Sequence, residues 1–401
     1  MRFRKYIFWL HLLAGLIAGI VVAIMSFTGV LIAFEEEILE WIDRDVRHVT
    51  VPDNGAARLP VDEVLARAVL NVSGRQATAL TIFNDSEQAW ILRFGREGGV
   101  YVDPFTGMTR EMQSQAAHGF LHVMVTWHRW LGMSGDGRDV GRALTGACNL
   151  AFLFLVISGF YLWFPRRWTQ KTLRPLLWFV GKSRGRARDW NWHNVIGFWN
   201  APVLFVLVAT AAVISYPWAS NLVYRLAGEE PPPARRGPSG GAPAVEIARP
   251  DPEAEPWSLE DQLRWVHDAF PLWEEVTLRL PDLEDEERTV IGATHVSVKE
   301  ARQWPRFSST TVSVDPYRGE ILSVNGFADF SPGRKARLWM RFLHTGEAFG
   351  IWGKAIAAAA SFASLFLVWT GFALSWRRFF GKRGGRKTGS VRVTSRKPDK
   401  I

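Results

Sequence analysis

The sequence predicts a mainly α membrane protein, with four transmembrane helices in two parallel repeats and two small α+β units outside the cytoplasm. Three observations carry that reading. Four apolar blocks, about 7–34, 143–164, 195–217 and 355–376, carry almost no charge. About 20 residues cross the roughly 30 Å hydrocarbon layer, so each block is long enough to span it, and none keeps the polar face of a core helix. The blocks also match in pairs, "WLHLLAGLIAG" with "WNWHNVIGFWN" and "LFLVISGF" with "LFLVWTGF". Finally, the basic residues collect in alternate connections.

The first block starts with Arg2, Arg4 and Lys5 but is too long for a signal-peptide core, and it runs into Glu35-Glu36-Glu37 without a small-residue cleavage site. It is expected to stay as an uncleaved helix. The chain has 48 Lys and Arg against 39 Asp and Glu, a net charge of +9. The excess lies between the second and third blocks, from Arg166 to Arg188, and after the fourth, from Arg377 onward. Basic flanks mark the cytoplasmic side, so both termini and the middle loop are expected there. A topology signal accounts for this charge without a nucleic-acid partner.

The expected order is a first transmembrane helix (1–34), a polar unit (35–127), an interfacial segment with the second helix (128–164), a basic cytoplasmic loop (165–192) and a third helix (193–217). A linker (218–256), a second polar unit (257–336), an interfacial segment with the fourth helix (337–376) and a basic cytoplasmic tail (377–401) complete it. Within the linker, Gly228 to Pro256 is rich in proline, glycine and alanine, a flexible composition. Each polar unit pairs an amphipathic helix, "LPVDEVLARAVL" or "WSLEDQLRWVHDAF", with alternating runs such as "ATALTIF", "AWILRF", "EEVTLRL" and "THVSVK". The runs in "VYVDPFTGMTR" and "VSVDPYRGEIL" end at Asp-Pro-aromatic followed by a glycine turn. Each unit is therefore expected to be one helix on its own small antiparallel sheet. Both halves enter and leave on the same side, which makes them parallel repeats about an axis along the membrane normal.

Histidines sit at the ends of the apolar helices. His11 and His193 fall near the cytoplasmic ends of outgoing helices, each followed four residues later by a glycine, Gly15 and Gly197. His128 and His344 precede the returning helices and fall near the outer face. The register that superposes the returning helices maps Gly141 onto Gly353 and leaves His128 and His344 one helical turn apart, a difference assigned to the longer connection "GMSGDGRDV". Ionisable groups at membrane depth usually serve a function. Two facing imidazoles form a bis-histidine axial site, which suits electron-transfer haem because no coordination position stays open. A glycine one turn along leaves room for a flat macrocycle, and close helix packing explains it equally well. His118 and His122 are spaced i, i+4, so they are alternatives as the outer ligand, as a separate metal site or as an interfacial cap. His48, His267 and His295 read as ordinary residues of the polar units.

The tryptophans near helix ends, including Trp9, Trp127, Trp130, Trp163, Trp352 and Trp376, form an aromatic belt. Arg129, Arg334, Arg337 and Arg341 either snorkel at the interface or face an anion. One cysteine, Cys148, excludes an intrachain disulfide and an iron–sulfur spacing. There is no Cys-x-x-Cys-His attachment site, no glycine-rich dinucleotide fingerprint and no HExxH, nucleophile-elbow or P-loop motif. Electrons would therefore enter from outside the chain.

The order of "HLLAGL", "WHRWLG", "SGFYLWFPRRW", "WHNVIG", the paired "VDP" turns and "LHTGEAFG" resembles the PepSY-associated transmembrane family, over nearly the whole chain. Within it, the chain is similar to bacterial inner-membrane ferrisiderophore reductases and iron-regulated membrane proteins. That resemblance implies PepSY-like outer units, two haem b groups on His11, His193, His128 and His344, and a place in the bacterial inner membrane. It also implies lipid as solvent, a quinol or a separate protein as electron donor, and a ferric siderophore as acceptor. The alternatives are a PepSY membrane protein acting in binding or assembly, and a proton-coupled transporter.

Overall fold

A computed structural model describes residues 2–53, 57–72, 74–95, 98–233, 246–248, 255–280 and 290–381. Its helices are α1 (Arg2–Ile32), α2 (Glu35–Ile42), α3 (Arg44–Arg47), α4 (Val61–Asn71), α5 (Gln115–Trp130) and α6 (Gly137–Trp163), then α7 (Gln170–Leu177), α8 (Gly185–Ser215), α9 (Pro217–Leu226), α10 (Leu259–Ala269), α11 (Pro332–Thr345) and α12 (Gly350–Phe379). The strands are β1 (Ala79–Phe83), β2 (Trp90–Arg93), β3 (Gly99–Val102), β4 (Thr109–Glu111), β5 (Glu246–Ala248), β6 (Trp273–Arg279), β7 (Val290–Gly292), β8 (Thr294–Glu300), β9 (Thr310–Val314) and β10 (Ile321–Asn325).

The four apolar blocks form α1, α6, α8 and α12, all long and apolar enough to cross a membrane. A helix satisfies its own backbone polar groups, which lipid cannot do. The four stand in a square. α1 packs on α6 and α12, and α8 packs on the same two, so α1 and α8 occupy opposite corners. Two polar contacts tie adjacent corners. Ser364 Oγ meets Ser26 Oγ at 2.6 Å, and Asn149 Nδ2 donates to the Val208 carbonyl at 3.0 Å. At one end of the square, the buried carboxylate of Asp189 on α8 pairs with Arg377 of α12 at 2.6 Å.

Glycine is required where the shorter helices turn into the spans. A Cβ on Gly141 would collide with the Trp130 carbonyl at the end of α5, and one on Gly353 with the Gly346 carbonyl after α11. These are the two glycines that the sequence register superposes.

Both long polar segments lie at one end of the bundle and share a single antiparallel sheet of eight strands, ordered β10-β9-β8-β6-β1-β2-β3-β4. The expectation of a separate sheet for each segment is corrected here. β1 pairs with β6 along its whole length, from Ala79 opposite Arg279 to Phe83 opposite Glu275. A lone four-stranded sheet would leave these edges as unpaired hydrogen-bonding groups, and joining them removes both. The core is also shared: Leu80, Leu92, Val276, Leu278, Val296 and Val312 from the strands pack with Val64 of α4 and with Leu263 and Val266 of α10. The two helices cap each other. Val61 N donates to Glu260 Oε2 at 3.0 Å, while Leu259 N and Glu260 N donate to Asp62 at 2.8 and 3.0 Å.

Two other segments hold more structure than expected. The start of the linker forms α9, with Pro217 in its first turn and Ala219 buried. The basic loop contains α7, and Asn191 closes that loop by accepting from Val180 N at 3.0 Å and donating to the Pro175 and Trp178 carbonyls at 2.6 and 3.0 Å. Most of the linker beyond Pro233, and the tail after Gly381, fall outside the described residues.

Asp43, 2% exposed, anchors the first polar segment to the bundle. Its carboxylate accepts from Ser114 N at 2.8 Å, Ser114 Oγ at 2.6 Å and Tyr101 Oη at 3.2 Å. Burial, and then the neighbouring Asp43, raise the Tyr101 pKa, which keeps the phenol a donor. Ser114 is the residue from which α5 starts. We expect Asp43→Ala to strand these donors and cost roughly 3 kcal/mol, with Asp43→Asn costing less. Thermal unfolding in detergent checks both, and unchanged melting of Asp43→Ala would contradict the anchoring role.

Candidate functional site

His11 on α1 and His193 on α8 face each other across the square at the end away from the sheet. Each imidazole meets a hydroxyl of the adjacent returning helix: His11 Nδ1 lies 2.8 Å from Ser158 Oγ, and His193 Nδ1 lies 2.9 Å from Thr370 Oγ1. Both hydroxyls already donate to the carbonyl one turn earlier, Ser158 to Phe154 and Thr370 to Phe366, each at 2.6 Å. With its only proton committed, each hydroxyl oxygen accepts from the imidazole. The proton is therefore assigned to Nδ1, which leaves the Nε2 lone pair free, the form that ligates a metal.

A cavity of about 590 Å³ opens between these histidines, within the range of cofactor sites. Gly15, Gly159, Gly197 and Gly371 are among its walls. A Cβ on Gly159 would stand 3.2 Å from His11 Cε1, and one on Gly371 3.7 Å from His193 Cε1. The end of the cavity away from the sheet is ringed by Arg4, Lys5, Arg166, Arg186 and Arg378, and its lining contains no Asp or Glu. The site therefore suits a flat apolar body that carries negative charge at one edge.

At the sheet end, His128 on α5 and His344 on α11 stand with ring centroids 6.3 Å apart and planes at 49°. His128 Nδ1 donates to the Met25 carbonyl of α1 and His344 Nδ1 to the Leu207 carbonyl of α8, both at 2.9 Å. A carbonyl only accepts, so these rings also carry the proton on Nδ1. A separation of this size would admit one metal ion between the rings, at about 2 Å from each ligating nitrogen. The same interval of 182 residues separates His11 from His193 and Met25 from Leu207. Likewise, 212 residues separate Ser158 from Thr370. These intervals relate the inner histidines, their hydroxyl acceptors and the carbonyl acceptors of the outer pair, whereas His128 and His344 themselves are 216 residues apart, one helical turn more than the 212 of the returning helices. Fourteen residues part His11 from Met25, which is about 21 Å along α1.

Among the described residues, no three His, Cys, Asp or Glu side chains converge as a metal cage. Two imidazoles under-coordinate a bare ion but complete a macrocyclic iron that brings its own four equatorial nitrogens. The donor set fits haem.

The structure places His128 against His344, while His118 and His122 lie exposed on the same helix. His267 stacks on Trp273 at 4.3 Å, His295 meets Ser313 Oγ at 3.2 Å, and His48 Nδ1 lies 3.0 Å from the Glu87 carbonyl. All three belong to the sheet region, as the sequence suggested. Near the outer pair, Arg129 and Arg138 lie 4.7 and 4.6 Å from the Trp130 ring, Arg337 Nε donates to Ser220 Oγ at 3.0 Å, and Arg341 covers Phe342 at 5.5 Å. Arg334 covers Phe330 at 3.6 Å. Burial lowers the Arg129 pKa, and repulsion from Arg142, Arg341 and Arg138 adds to it. By contrast, Lys354 is buried and paired with Glu36 at 3.2 Å and Glu37 at 2.8 Å.

The sequence reading missed the acceptors of the four imidazoles. For Ser158 and Thr370 a signal existed, because "LFLVISGF" and "LFLVWTGF" keep a hydroxyl at one aligned position beside a glycine. For the Met25 and Leu207 carbonyls there was none, since a backbone acceptor leaves no mark on residue identity.

Comparison with curated proteins finds no match to this chain. The description of a PepSY-associated TM region does match it, from residue 8 to residue 378, a span that includes all four paired histidines and most of each of the four long apolar helices. The chain belongs to the PepSY-associated transmembrane family.

Proposed function

We propose that the protein is a dihaem oxidoreductase of the bacterial inner membrane, passing electrons from the His11–His193 pair to the His128–His344 pair and on to a ferric siderophore in the periplasm. The observation that carries this reading is the outer pair, with two imidazoles 6.3 Å apart whose Nδ1 protons are both tied to carbonyls of neighbouring helices. The inner pair repeats the arrangement with hydroxyl acceptors.

Haem, when bound, supplies one-electron chemistry at iron. The chain's own residues do the rest. His11 and His193 would hold one group and His128 and His344 the other, with Nε2 of each ring as the ligating atom. The hydrogen bonds at Nδ1 orient the rings and raise their basicity. The cations Arg4, Lys5, Arg166, Arg186 and Arg378 around the inner cavity would neutralise acidic substituents of such a group. The apolar residues among the walls of the inner cavity would limit water around the group held there. Electrons enter from a quinol or a separate donor protein. The substrate is Fe(III) held by a siderophore: one electron converts it to Fe(II), which hard oxygen ligands hold more weakly.

Two haems per chain are expected from pyridine-haemochrome quantitation of the purified protein. His11→Ala or His193→Ala should remove the inner haem and keep the outer one, and His128→Ala or His344→Ala the reverse, while His118→Ala and His122→Ala retain both. A protein without a Soret band would sink this function, and loss of both haems from any one well-folded variant would break the assigned pairing.

The basic segments support an orientation with both termini in the cytoplasm. A reporter fused after Ile401 is expected to behave as cytoplasmic. Periplasmic activity there would exchange the two faces and reverse the direction of electron flow.

The substrate is tested by reducing the protein and following haem reoxidation by a panel of ferric siderophores. Wild type should reoxidise quickly and His344→Ala at least tenfold more slowly. Equal rates would remove the outer pair as the exit, and indifference to the chelate would favour a less specific reductase.

A further inference from the structure

We infer that Ser158 and Thr370 are positioning residues that set the electronic character of the inner histidine pair separately from the outer one. This rests on the proposed haem ligation, and it concerns two side chains that would touch neither the iron nor the macrocycle.

The argument starts from the contrast between the pairs. The outer imidazoles donate to backbone carbonyls, Met25 and Leu207, each at 2.9 Å, with the Thr28 hydroxyl a longer neighbour of His128 Nδ1 at 3.2 Å. The inner ones donate to hydroxyls that donate onward to carbonyls, in the chains His11–Ser158–Phe154 and His193–Thr370–Phe366. A backbone acceptor survives any side-chain substitution. A hydroxyl acceptor exists only while residue 158 is Ser or Thr, and likewise residue 370. A single substitution therefore removes the shortest Nδ1 contact of an inner imidazole, whereas the shortest contact of each outer imidazole is a carbonyl that remains.

Both hydroxyls are deeply placed, Ser158 at 4% and Thr370 at 0% exposure. Removing either takes the hydroxyl partner away from a buried imidazole, and His193 then keeps only its backbone contact with Leu367. Two physical effects follow. The imidazole loses a partner that drew its proton outward, so it becomes a poorer electron donor to a bound metal and favours the reduced ion. The ring also loses the contact that sets its plane. Chains in which one donor is itself an acceptor polarise one another, so each relay does more than a lone hydroxyl. The glycines following these hydroxyls, Gly159 and Gly371, leave each imidazole free to approach its acceptor.

The two halves supply their own controls. Serine occupies the position in one half and threonine in the other, so Ser158→Thr and Thr370→Ser each install the residue that the other half already uses. Both keep the hydroxyl, and Ser158→Ala and Thr370→Val remove it. The measurements are haem content, a spectroelectrochemical titration that resolves the two haems, and the low-spin electron paramagnetic resonance signals, which respond to imidazole plane orientation.

In Ser158→Ala and Thr370→Val the inner haem should move to a more positive midpoint potential with altered resonance positions, or be lost selectively, while the outer haem keeps its wild-type values. Ser158→Thr and Thr370→Ser should match wild type at both sites. The inference is overturned if the hydroxyl-free variants keep both inner signatures unchanged, if both haems shift together, or if the hydroxyl-retaining variants shift as much. A wild-type preparation that binds no haem overturns the ligation itself. A haem-loaded preparation with an unshifted inner site overturns only the role of Ser158 and Thr370.

Discussion

Each of the four paired histidines gives its Nδ1 proton to an oxygen on a helix other than its own, and the rest of the site depends on that bond. It leaves Nε2 as the unprotonated nitrogen of each ring. It also binds ring direction to helix register, because moving a helix by one residue turns its side chains by about 100° and would carry the imidazole away from its acceptor. A net hydrogen bond contributes about 1 kcal/mol, but the cost of leaving a polar group unpaired in a dry bundle is larger. The four bonds therefore act mainly by excluding other arrangements.

Those bonds need helices held at matched heights, and the sheet region supplies this. β1 and β6 join the two polar segments into one rigid layer, and α4 and α10 cap each other across it. Asp43 fixes the start of α5, which carries His128 at its far end. Lys354 at the head of α12 reaches Glu36 and Glu37 after α1, linking the first helix of the bundle to the last. Through these ties a helix from each half presents its histidine at the same level, although the two connections differ in length. The spans contribute the other constraint: α1 and α8 at opposite corners leave the middle of the square to whatever lies between His11 and His193.

Much of this was legible in residue order. Uncharged blocks of more than twenty residues leave lipid as their natural solvent, so the four spans followed from composition. The duplicated "LFLV" segments and the spacing of histidine to glycine pointed to the pairs His11 with His193 and His128 with His344, and the strands of each polar segment were readable from alternation and from the Asp-Pro turns. Less was visible where two distant segments meet. His118, His122 and His128 lie within ten residues of one another on the same helix, and only the position of α11 decides which of them has a partner. Ser158 and Thr370 read as ordinary small polar residues in apolar helices until a histidine from another helix is set beside each of them.

By itself the sequence determined the number of spans, the likeness between segments of the two halves and the residue types available for ligation. These depend on hydrophobicity and on local repetition, which are properties of short stretches of chain. The tertiary structure alone decided that the two polar segments share one sheet, that His128 is the outer partner, that the inner and outer imidazoles differ in their acceptors, and that five cations ring a cavity free of acids. Each of these is a contact between residues tens to hundreds of positions apart. Such contacts are set by how the edges and corners of the fold close on one another, and the identity of a residue does not record which distant neighbour it will meet.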